Sequence, residues 1–249
     1  MNIRGRFICY QPNPTAEVNL ICFPFAGGSA AVFHPWVAKL PSHVQLLAYQ
    51  PPGRAQRMAE PSCMTMQEYM DDIWVGLEDY LDKPLVIFGH SMGALIAYEV
   101  ARKLHLENEH VPVNAFFSAA KSPWKKNRAK FISHLNDDAF INELKRKGGF
   151  PEEVLNNKEL MALCTPFIKS DYQLVEQYSS DETRQLAVHA TVLAGVEDEI
   201  TESELAEWKN GFVQPPEVHQ FPGGHFFIQD DSVLNEMIAL IIRSIRVIR

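Results

Sequence analysis

The sequence has no long hydrophobic run and no excess of positive charge. No stretch approaches the run of about 18 apolar residues that a membrane-spanning helix needs. The opening segment MNIRGRFICYQPNP also lacks the apolar stretch of a secretory signal peptide. A net charge of -8 argues against the strongly basic field of a general nucleic-acid binder. We therefore expect a soluble protein that neither spans a membrane nor binds nucleic acid.

Cysteine is scarce and widely spaced. The four residues Cys9, Cys22, Cys63 and Cys164 form no Cys-x-x-Cys pair and no Cys/His spacing typical of a zinc site. Cys9 and Cys22 lie in apolar, strand-like runs, where a free cysteine is a small core residue. We therefore expect no metal site, and we expect a protein of the reducing cytoplasm.

Repeats and low-complexity tracts are also missing, and 46% of the 249 residues are hydrophobic, which is enough for a sizeable core. Continuous apolar runs predict buried parallel strands at Val18–Phe25, Val44–Tyr49, Leu85–Phe88, Val113–Ala119 and His189–Ala194. Apolar periodicity and capping residues predict helices at Thr65–Leu81, Ser91–Leu104 and Ser232–Arg246. This alternation of strands and helices predicts a doubly wound, mostly parallel α/β sheet.

The alternation is interrupted once, by a helical and polar segment. No strand-like run lies between Ala119 and His189, and roughly sixty residues are too many for an ordinary connection. We interpret residues 122–186 as a helical lid inserted over the top of the sheet, with residues 1–121 and 187–249 forming the core. A purely structural helical extension is the alternative.

The strongest chemical signal is Gly89-His90-Ser91-Met92-Gly93, a G-x-S-x-G motif. It follows the strand-like PLVIF and opens the helix ALIAYEVARKL, which is the context that a nucleophile elbow requires. Ser91 would sit on a sharp, strained turn, and the two glycines would let the backbones pack closely. Ser91 is therefore the candidate nucleophile.

A serine hydroxyl needs a neighbouring base at neutral pH, and nine histidines are available. His225 lies in PGGHFF, directly after the strand-like EVHQF and before the last helix, where this kind of fold carries its base. The two glycines before it suit a tight turn. His90 is adjacent to Ser91 but would point elsewhere, so we interpret it as a packing and hydrogen-bonding residue. His225 is the candidate base.

The acid that orients the base should lie between the nucleophile and the base in the chain. The segment LAGVEDEIT follows the strand-like HATVLA and contains Asp198, with Glu197 and Glu199 as close competitors. The other usual location follows VNAFFSA, but residues 110–136 contain no Asp or Glu. Asp198 is therefore the candidate acid.

An acyl-transfer site also needs two backbone donors that hold the developing oxyanion. The N–H of Met92, directly after the nucleophile, is one candidate. The second should come from CFPFAGGSA, the loop after the first long central strand, where we choose Ala26 with Phe25 as the rival. No Gly-Lys-Ser/Thr follows these glycines, so the loop is not a phosphate-binding P-loop.

Together these motifs resemble one family, the type II thioesterases of nonribosomal peptide and polyketide assembly lines, whose relatives include the medium-chain acyl thioesterase of fatty acid synthesis. The shared segments are CFPFAGGSA, PPGR, GHSMGA, GVEDEIT and PGGHFF, in this order along nearly the whole chain. PPGR departs from the more usual LPGR and carries no assigned role. The resemblance implies an α/β-hydrolase fold with a mobile helical lid before the penultimate strand.

The resemblance also implies a serine thioesterase that hydrolyses acyl thioesters from the phosphopantetheine arm of carrier proteins, clearing aberrant or stalled groups. By carry-over, Ser91 is the nucleophile, His225 the base and Asp198 its orienter. The phosphopantetheine belongs to the substrate, so we expect no cofactor of the enzyme's own. The expected partner is an acyl or peptidyl carrier protein, bound transiently by a monomeric cytoplasmic enzyme.

Two other functions are compatible with the same scaffold. A hydrolase of acyl-CoA or small esters, or an acyltransferase, would use the same triad, because function lies in the acceptor and the pocket rather than in the fold. A non-catalytic binding protein is the second alternative, although the intact Ser, Asp and His set argues against it.

An acyl chain would need an apolar pocket under the lid. The candidates for its lining are Phe25 beside the oxyanion loop and Phe131, Phe140 and Phe167 in the lid, followed by Leu135, Phe150 and Leu160. For any single lid residue, the alternative is that it simply holds the lid together.

The densest basic run of the chain begins directly after VNAFFSA and contains no acidic residue. It consists of Lys121, Lys125, Lys126, Arg128 and Lys130, and a smaller cluster follows at Lys145, Arg146 and Lys147. Carrier proteins are acidic and so is this chain, so a local patch of this kind would have to steer the two together. An ordinary solvated face is the alternative.

Overall fold

An eight-stranded sheet organises the fold. The computed structural model describes residues 2–107, 111–124, 131–180 and 184–246. The strands are β1 (Asn2–Arg4), β2 (Phe7–Cys9), β3 (Val18–Phe23), β4 (Val44–Tyr49), β5 (Leu85–His90), β6 (Asn114–Ser118), β7 (Ala190–Gly195) and β8 (Glu217–Phe221), in the order β1-β2-β4-β3-β5-β6-β7-β8. β2 pairs antiparallel with both neighbours, whereas β3 to β8 pair in parallel. The predicted mostly parallel sheet is confirmed.

Helices connect the strands. In the described residues the α-helices are α1 (Met66–Leu77), α2 (Met92–Leu106), α3 (Asp137–Lys147), α4 (Glu152–Asn156), α5 (Lys158–Gln177), α6 (Glu202–Ala206) and α7 (Asp231–Arg246). α1 begins with a capping box, in which Thr65 and Glu68 each accept a hydrogen bond from the backbone of the other. None of the helices in the described ranges is long and apolar enough to cross a membrane.

Two apolar clusters, one on each face of the sheet, form the core. Leu20 and Cys22 of β3 pack with α7 and with the short 3₁₀ helix Ala30–Trp36. Ile21 and Phe23 of the same strand pack with α1 and α2 on the opposite face. Successive strand residues point to opposite faces, so a strand that is covered on both sides must be apolar throughout. The continuous apolar runs of the sequence arise from this requirement.

All five strands predicted from apolar runs are present, and their ends differ from the prediction by at most two residues. EVHQF is also a strand, β8. Cys9, predicted to lie in an apolar, strand-like run, belongs to β2, whereas the sequence pattern does not reveal β1. The two strands have three residues each and are joined by a turn at Gly5 with φ 67. Three residues are too few to establish a period of two.

The predicted helical insertion lies between β6 and β7. α3, α4 and α5 follow one another there and share an apolar cluster of their own, formed by Ile132, Phe140, Leu144, Leu155, Met161, Phe167 and Ile168. The two ends of the insertion belong to the main core. Leu186 forms a parallel bridge with Phe212, and the ring of Trp124 lies 5.9 Å from that of Trp208. The helices therefore extend from residues that are anchored in the α/β core.

Candidate active site

Ser91 occupies the turn between β5 and α2. Its backbone has φ 56 and ψ -115, a region that residues with a side chain rarely adopt. The N–H of Ser91 donates to the Ser118 backbone oxygen at 2.7 Å, and the N–H of Ala94 donates to the Ser91 oxygen at 2.9 Å. Such a conformation costs about 1–3 kcal/mol and persists only where its surroundings hold it. The predicted strained turn is present.

The two glycines of the motif let three backbone segments meet beneath Ser91. A Cβ atom at Gly89 would overlap the carbonyl oxygen of Gly93, and one at Gly93 would overlap the carbonyl oxygen of Phe23. Neither position has room for a side chain. The start of α2 therefore lies directly against the ends of β5 and β3, which places the N-terminus of the helix at Ser91.

His225 links Ser91 to Asp198. Its Nε2 lies 2.9 Å from Ser91 Oγ, and its Nδ1 lies 2.8 Å from Asp198 Oδ2. A carboxylate only accepts hydrogen bonds, so Nδ1 carries the ring proton and Nε2 is left to accept from the serine hydroxyl. The Asp198 side chain is 4% exposed and that of His225 is 31% exposed. The structure thus brings the three predicted residues together in the arrangement of a serine-hydrolase triad.

The loops that carry the acid and the base are joined through their backbones. The N–H of Glu197 donates to the Gly223 oxygen at 3.0 Å, and the N–H of Val196 donates to the Phe221 oxygen at 2.9 Å. A Cβ at Gly195 would overlap the Gly223 oxygen, so the loops touch at this point. Because backbone atoms make these contacts, they fix the spacing between acid and base independently of other side chains.

Neither acidic neighbour of Asp198 reaches the histidine. The Glu199 side chain is 80% exposed and lies 3.7 Å from Arg146 of α3, and Glu197 is also exposed. Glu199 supports Asp198 instead through its backbone N–H, which donates to Asp198 Oδ1 at 2.7 Å. The geometry therefore favours Asp198 as the acid over both alternatives.

His90 is fully buried behind the base. Its Nε2 lies 2.9 Å from the backbone oxygen of His225, and its Nδ1 lies 2.8 Å from Ser118 Oγ. The carbonyl must accept, so Nε2 carries the proton and Nδ1 accepts from the Ser118 hydroxyl. Burial, together with the nearby His225, lowers the pKa of His90 well below its usual value, so the ring is neutral. The predicted packing and hydrogen-bonding role of His90 is confirmed.

The loop after β3 carries the predicted oxyanion donor. In the part of the chain that the structure describes, the N–H groups of Ala26 and Met92 donate to no protein acceptor and are free for a substrate oxygen. The N–H of Phe25 also donates to no acceptor among the described residues, so this alternative stays open. The shape of the loop is held by Gly28, which donates to the Phe25 oxygen at 2.8 Å, and by Gly27, which donates to a carboxylate of α5 at 2.7 Å.

Phe25 is 5% exposed and packs beside the loop that carries the base. Its ring is edge-on to that of Phe226, with 5.0 Å between centroids, and Phe226 lies 5.0 Å from the ring of His225. Phe131, by contrast, is 41% exposed on the insertion. Of these two predicted acyl-contact residues, Phe25 is the one that the structure places next to the triad.

Phe140 and Phe167 of the lid pack differently from each other. Phe140 is fully buried in the apolar cluster of the insertion, with its ring edge-on to Tyr172 at 5.6 Å. No surface of Phe140 is left to line a pocket, so its predicted contact with substrate is corrected to a role in holding the lid together. Phe167 is nearly buried, and the guanidinium of Arg54 lies 4.4 Å from its ring centroid. Phe167 therefore faces the core.

The insertion lies on the side of the sheet that carries Ser91. A Cβ at Gly27 would lie 2.5 Å from the ring of Phe150, and one at Gly149 would overlap the ring of Phe226. Gly27 follows the predicted oxyanion donor, and Phe226 follows the base. The turn before α4 therefore covers part of the candidate site. The mobility of this segment stays a prediction.

One link between lid and core is not found by sequence analysis. Arg54 Nη1 lies 2.5 Å from Asp171 Oδ2, and both side chains are buried. The PPGR segment contains Arg54 but gives it no role. One feature of the sequence could have identified Asp171: it is an acid on the apolar face of α5, one turn from the buried Ile168 and Leu174. A charge at such a position needs a buried partner.

Charged side chains outside the triad form no metal site in the described residues, since no three of His, Cys, Asp or Glu group closely enough to hold an ion.

Most of the predicted basic run, namely Lys125, Lys126, Arg128 and Lys130, lies outside the described residues. Its first member, Lys121, lies 2.9 Å from Glu204. In the second cluster Arg146 lies 3.0 Å from Glu143. A steering role for these residues stays a prediction.

The family model described as "Thioesterase domain" matches residues 18–245. The chain belongs to the thioesterase family. This thioesterase is 35% identical over 231 residues to a protein of Streptomyces griseus named "Probable cadicidin biosynthesis thioesterase". The match covers 92% of this chain and 63% of that relative, so the chain spans less than two thirds of the relative's length.

Two solved structures are similar to this thioesterase. The type II thioesterase BorB from the borrelidin biosynthetic cluster has a TM-score of 0.88 and 30% identity, and the match covers 98% of this chain and 99% of that one. ClbQ from the colibactin NRPS/PKS pathway has a TM-score of 0.85 and 31% identity, with 93% and 98% covered. The predicted family and α/β-hydrolase fold are confirmed, and the chain is a thioester hydrolase.

Proposed function

We propose that this thioesterase releases acyl groups from the phosphopantetheine arm of an acyl or peptidyl carrier protein, as an editing enzyme of nonribosomal peptide or polyketide assembly. The observation that carries the hydrolytic chemistry of this proposal is the contact of His225 with both Ser91 and Asp198. Relatives named for cadicidin, borrelidin and colibactin biosynthesis support the substrate class. The phosphopantetheine belongs to the substrate, so the enzyme uses no cofactor of its own.

Acylation begins when Ser91 Oγ attacks the carbonyl carbon of the thioester. His225 Nε2 takes the hydroxyl proton, and the resulting imidazolium is stabilised by Asp198 through Nδ1–H. The carbonyl oxygen becomes an oxyanion that accepts hydrogen bonds from the N–H groups of Ala26 and Met92. The carbon–sulfur bond then breaks, and His225 returns the proton to the departing phosphopantetheine thiol. An ester between the acyl group and Ser91 results.

Deacylation repeats these steps with water as the nucleophile. His225 Nε2 takes a proton from the water as its oxygen attacks the ester carbonyl. The same oxyanion donors hold the second tetrahedral intermediate. The bond to Ser91 Oγ breaks, His225 gives the proton back to Oγ, and the free carboxylic acid leaves. Ser91 is thereby regenerated for the next acyl group.

The acyl chain is proposed to lie against aromatic side chains beside the base. Phe25 packs against Phe226, which contacts His225, and Phe226 is the more exposed of the two rings. The ring of Phe150 contacts Gly27 of the oxyanion loop. Apolar walls of this kind favour an apolar acyl group over a charged one.

The enzyme is proposed to act in the cytoplasm as a monomer that meets the carrier transiently. All four cysteines are free, and Cys9, Cys22 and Cys63 are buried, which suits a reducing compartment. The basic run that begins at Lys121 is the proposed steering surface for an acidic carrier. Size-exclusion chromatography of the enzyme alone tests whether it is a monomer. The same measurement with carrier protein tests whether their complex is too short-lived to elute as one species.

The decisive experiment offers acylated carrier proteins side by side with the matching acyl-CoA thioesters. The proposal expects a higher kcat/KM for the carrier-bound form, because docking adds binding energy to the same chemistry. Ser91→Ala should abolish turnover of both while leaving the melting temperature near that of the native protein. Equal or faster hydrolysis of the CoA thioesters would identify a soluble acyl-CoA hydrolase instead.

A further inference from the structure

A buried ion pair joins the lid to the core close to the candidate site. Arg54 Nη1 lies 2.5 Å from Asp171 Oδ2, and Arg54 Nη2 lies 2.7 Å from Asp171 Oδ1. The two side chains are 3% and 0% exposed. Arg54 follows β4 of the core, whereas Asp171 lies on the lid helix α5. The pair therefore crosses the boundary between the sheet and the insertion.

Both members of the pair also hold the loop after β3. Asp171 Oδ2 accepts a hydrogen bond from the N–H of Gly27 at 2.7 Å. Arg54 Nη1 donates to the carbonyl oxygen of Gly28 at 3.0 Å. Gly27 and Gly28 directly follow Ala26, whose N–H is the proposed oxyanion donor. The position of that donor consequently depends on the ion pair.

The lid covers the pair on its outer side. Phe167 of α5 lies against the Arg54 guanidinium, and the Tyr69 hydroxyl donates to Asp171 Oδ1 at 2.6 Å. Burial alone would lower the pKa of Arg54, but the Asp171 carboxylate outweighs this effect and raises it, so the guanidinium is charged. If α5 lifted, Asp171 would leave with it, and the N–H of Gly27 would lose its acceptor.

Fastening the lid does not by itself require this arrangement. A buried ion pair is weak evidence for stability, because desolvation offsets the attraction between the charges. Two apolar side chains of similar volume would attach α5 to the core at least as well. Apolar side chains, however, cannot hold a peptide N–H and a peptide C=O in fixed positions. The contacts to Gly27 and Gly28 are what the ion pair adds.

We propose that Arg54 and Asp171 are positioning residues that set the oxyanion loop only while α5 is seated on the core. This inference rests on the proposed function of the site. With α5 seated, the pair fixes Gly27 and Gly28, and the neighbouring Ala26 N–H is held for the oxyanion. With α5 displaced, the loop relaxes and acyl transfer slows. Hydrolysis is thereby confined to the closed lid, where the acyl chain is shielded from water.

The test compares Asp171→Asn with a matched control, Asp72→Asn. Asp72 also pairs with a buried arginine, 2.6 Å from Arg57, and also accepts from a tyrosine hydroxyl, that of Tyr49 at 2.6 Å; the Asp72 side chain is 13% exposed. Within the described ranges, the hydrogen bonds of Asp72 reach neither residues 26–28 nor the lid. Both substitutions remove the charge of a carboxylate that pairs with a buried arginine. Only Asp171→Asn places a new N–H donor among the donors that hold the oxyanion loop.

Three quantities are measured with a small soluble acyl thioester: kcat, KM and the affinity of an acyl trifluoromethyl ketone, whose adduct with Ser91 carries an oxyanion. For Asp171→Asn we expect kcat to fall about 10- to 100-fold, less than for loss of a whole oxyanion donor. KM should change less than about threefold. The inhibitor should bind more weakly by the factor that kcat/KM loses. Asp72→Asn should keep kcat within about twofold while lowering the melting temperature.

Two results would overturn the proposal. One is a kcat of Asp171→Asn that falls no further than that of the Asp72→Asn control. The other is a loss of kcat without a matching loss of inhibitor affinity, which would mean that the pair only attaches the lid. Arg54→Lys is the conservative variant, because it keeps the charge but not the paired donors. It should retain more activity than Arg54→Met.

Hydrogen exchange in the native protein keeps the proposal testable if the variants fail to fold. Binding of the trifluoromethyl ketone should slow exchange in residues 25–28 and in residues 165–175 together. Independent changes in the two segments would overturn the coupling.

An enzyme that cleaves the soluble thioester but not the carrier-bound acyl group refutes only the proposed substrate. The coupling between lid and loop is then still measured on the soluble thioester.

Discussion

The imidazole of His90 holds the backbone of His225, with Nε2 2.9 Å from the His225 carbonyl oxygen. The other ring nitrogen accepts from Ser118, whose backbone oxygen receives the Ser91 N–H. One neutral side chain thus connects the turn under the nucleophile to the loop that carries the base.

His90→Phe keeps a ring of similar size and removes both hydrogen bonds. We expect kcat to fall about 10-fold, or about 1.4 kcal/mol of barrier, with KM little changed.

Ser118→Ala is the matched control for this experiment. It removes only the partner of His90 Nδ1 and leaves the contact with the base loop in place. The buried nitrogen then lacks a donor, so we expect a loss of about 1–3 kcal/mol in the free energy of unfolding. The kcat should stay within about threefold of the native value. Equal losses of kcat in the two variants would show that the tether to His225 has no special role.

The acid of the triad is tested by Asp198→Asn. The amide can present an N–H to His225 Nδ1, which favours the wrong tautomer and leaves Nε2 protonated and unable to accept from Ser91. We expect kcat to fall about 10³- to 10⁴-fold with the fold intact. Glu199→Gln, in the same loop, should change kcat by less than about threefold, because its exposed side chain does not reach the histidine. Steady-state kinetics that reverse this order would reassign the acid.

Much of the candidate site was predictable because its signals are local in the sequence. Gly89 and Gly93 lie where backbones touch and no side chain fits, so the glycines of the motif around Ser91 indicate a tightly packed turn. The base follows the last strand and the acid follows the strand before it, so chain order limits the choice. Asp198 had two acidic neighbours, and only the backbone contacts between the two loops decide which of the three points at His225.

The unpredicted parts of the site depend on contacts between distant segments. Arg54 and Asp171 are 117 residues apart in the chain, and nothing in either segment alone identifies the other. Phe140 shows a second limit of sequence analysis. An apolar residue in an amphipathic helix is expected to be buried, but the sequence does not say whether it faces an acyl pocket or the cluster of the lid itself. Packing of α3 against α5 decides this for Phe140.

Acid should weaken the protein in part through Asp72. Burial raises the pKa of this carboxyl, but hydrogen bonds from Arg57 and Tyr49 outweigh burial and hold the pKa below its ordinary value of 3.8. A carboxyl with a lowered pKa in the folded state stabilises the fold above about pH 4, and this contribution is lost as the pH falls through the folded-state pKa. Urea unfolding between pH 2.5 and 7 should show this loss. Asp72→Asn should be less stable at pH 7 and lose less stability on acidification. If the free energy of unfolding changes with pH in the same way for the native protein and for Asp72→Asn, the assignment to Asp72 is contradicted.

The ring of Phe150 limits the space beside the oxyanion loop. A Cβ at Gly27 would lie 2.5 Å from this ring, so the two are already in contact. The turn that directs Phe150 inward contains Gly148 with φ 76 and Gly149 with φ 88, conformations that a residue with a side chain rarely adopts. Phe150→Ala should open this space. We expect kcat/KM for long or branched acyl thioesters to rise about 2- to 10-fold relative to short ones.

The control for this prediction is Leu163→Ala. Leu163 lies on the lid helix α5 and is 62% exposed, so its truncation removes apolar area from the lid without touching the oxyanion loop. The kcat/KM values for a series of acyl chain lengths should therefore be unchanged in this variant, since a surface truncation away from the site has little effect. If both variants shift the chain-length preference alike, the change comes from a general loosening of the lid. A shift in Phe150→Ala alone assigns the limit on acyl size to the contact between Phe150 and Gly27.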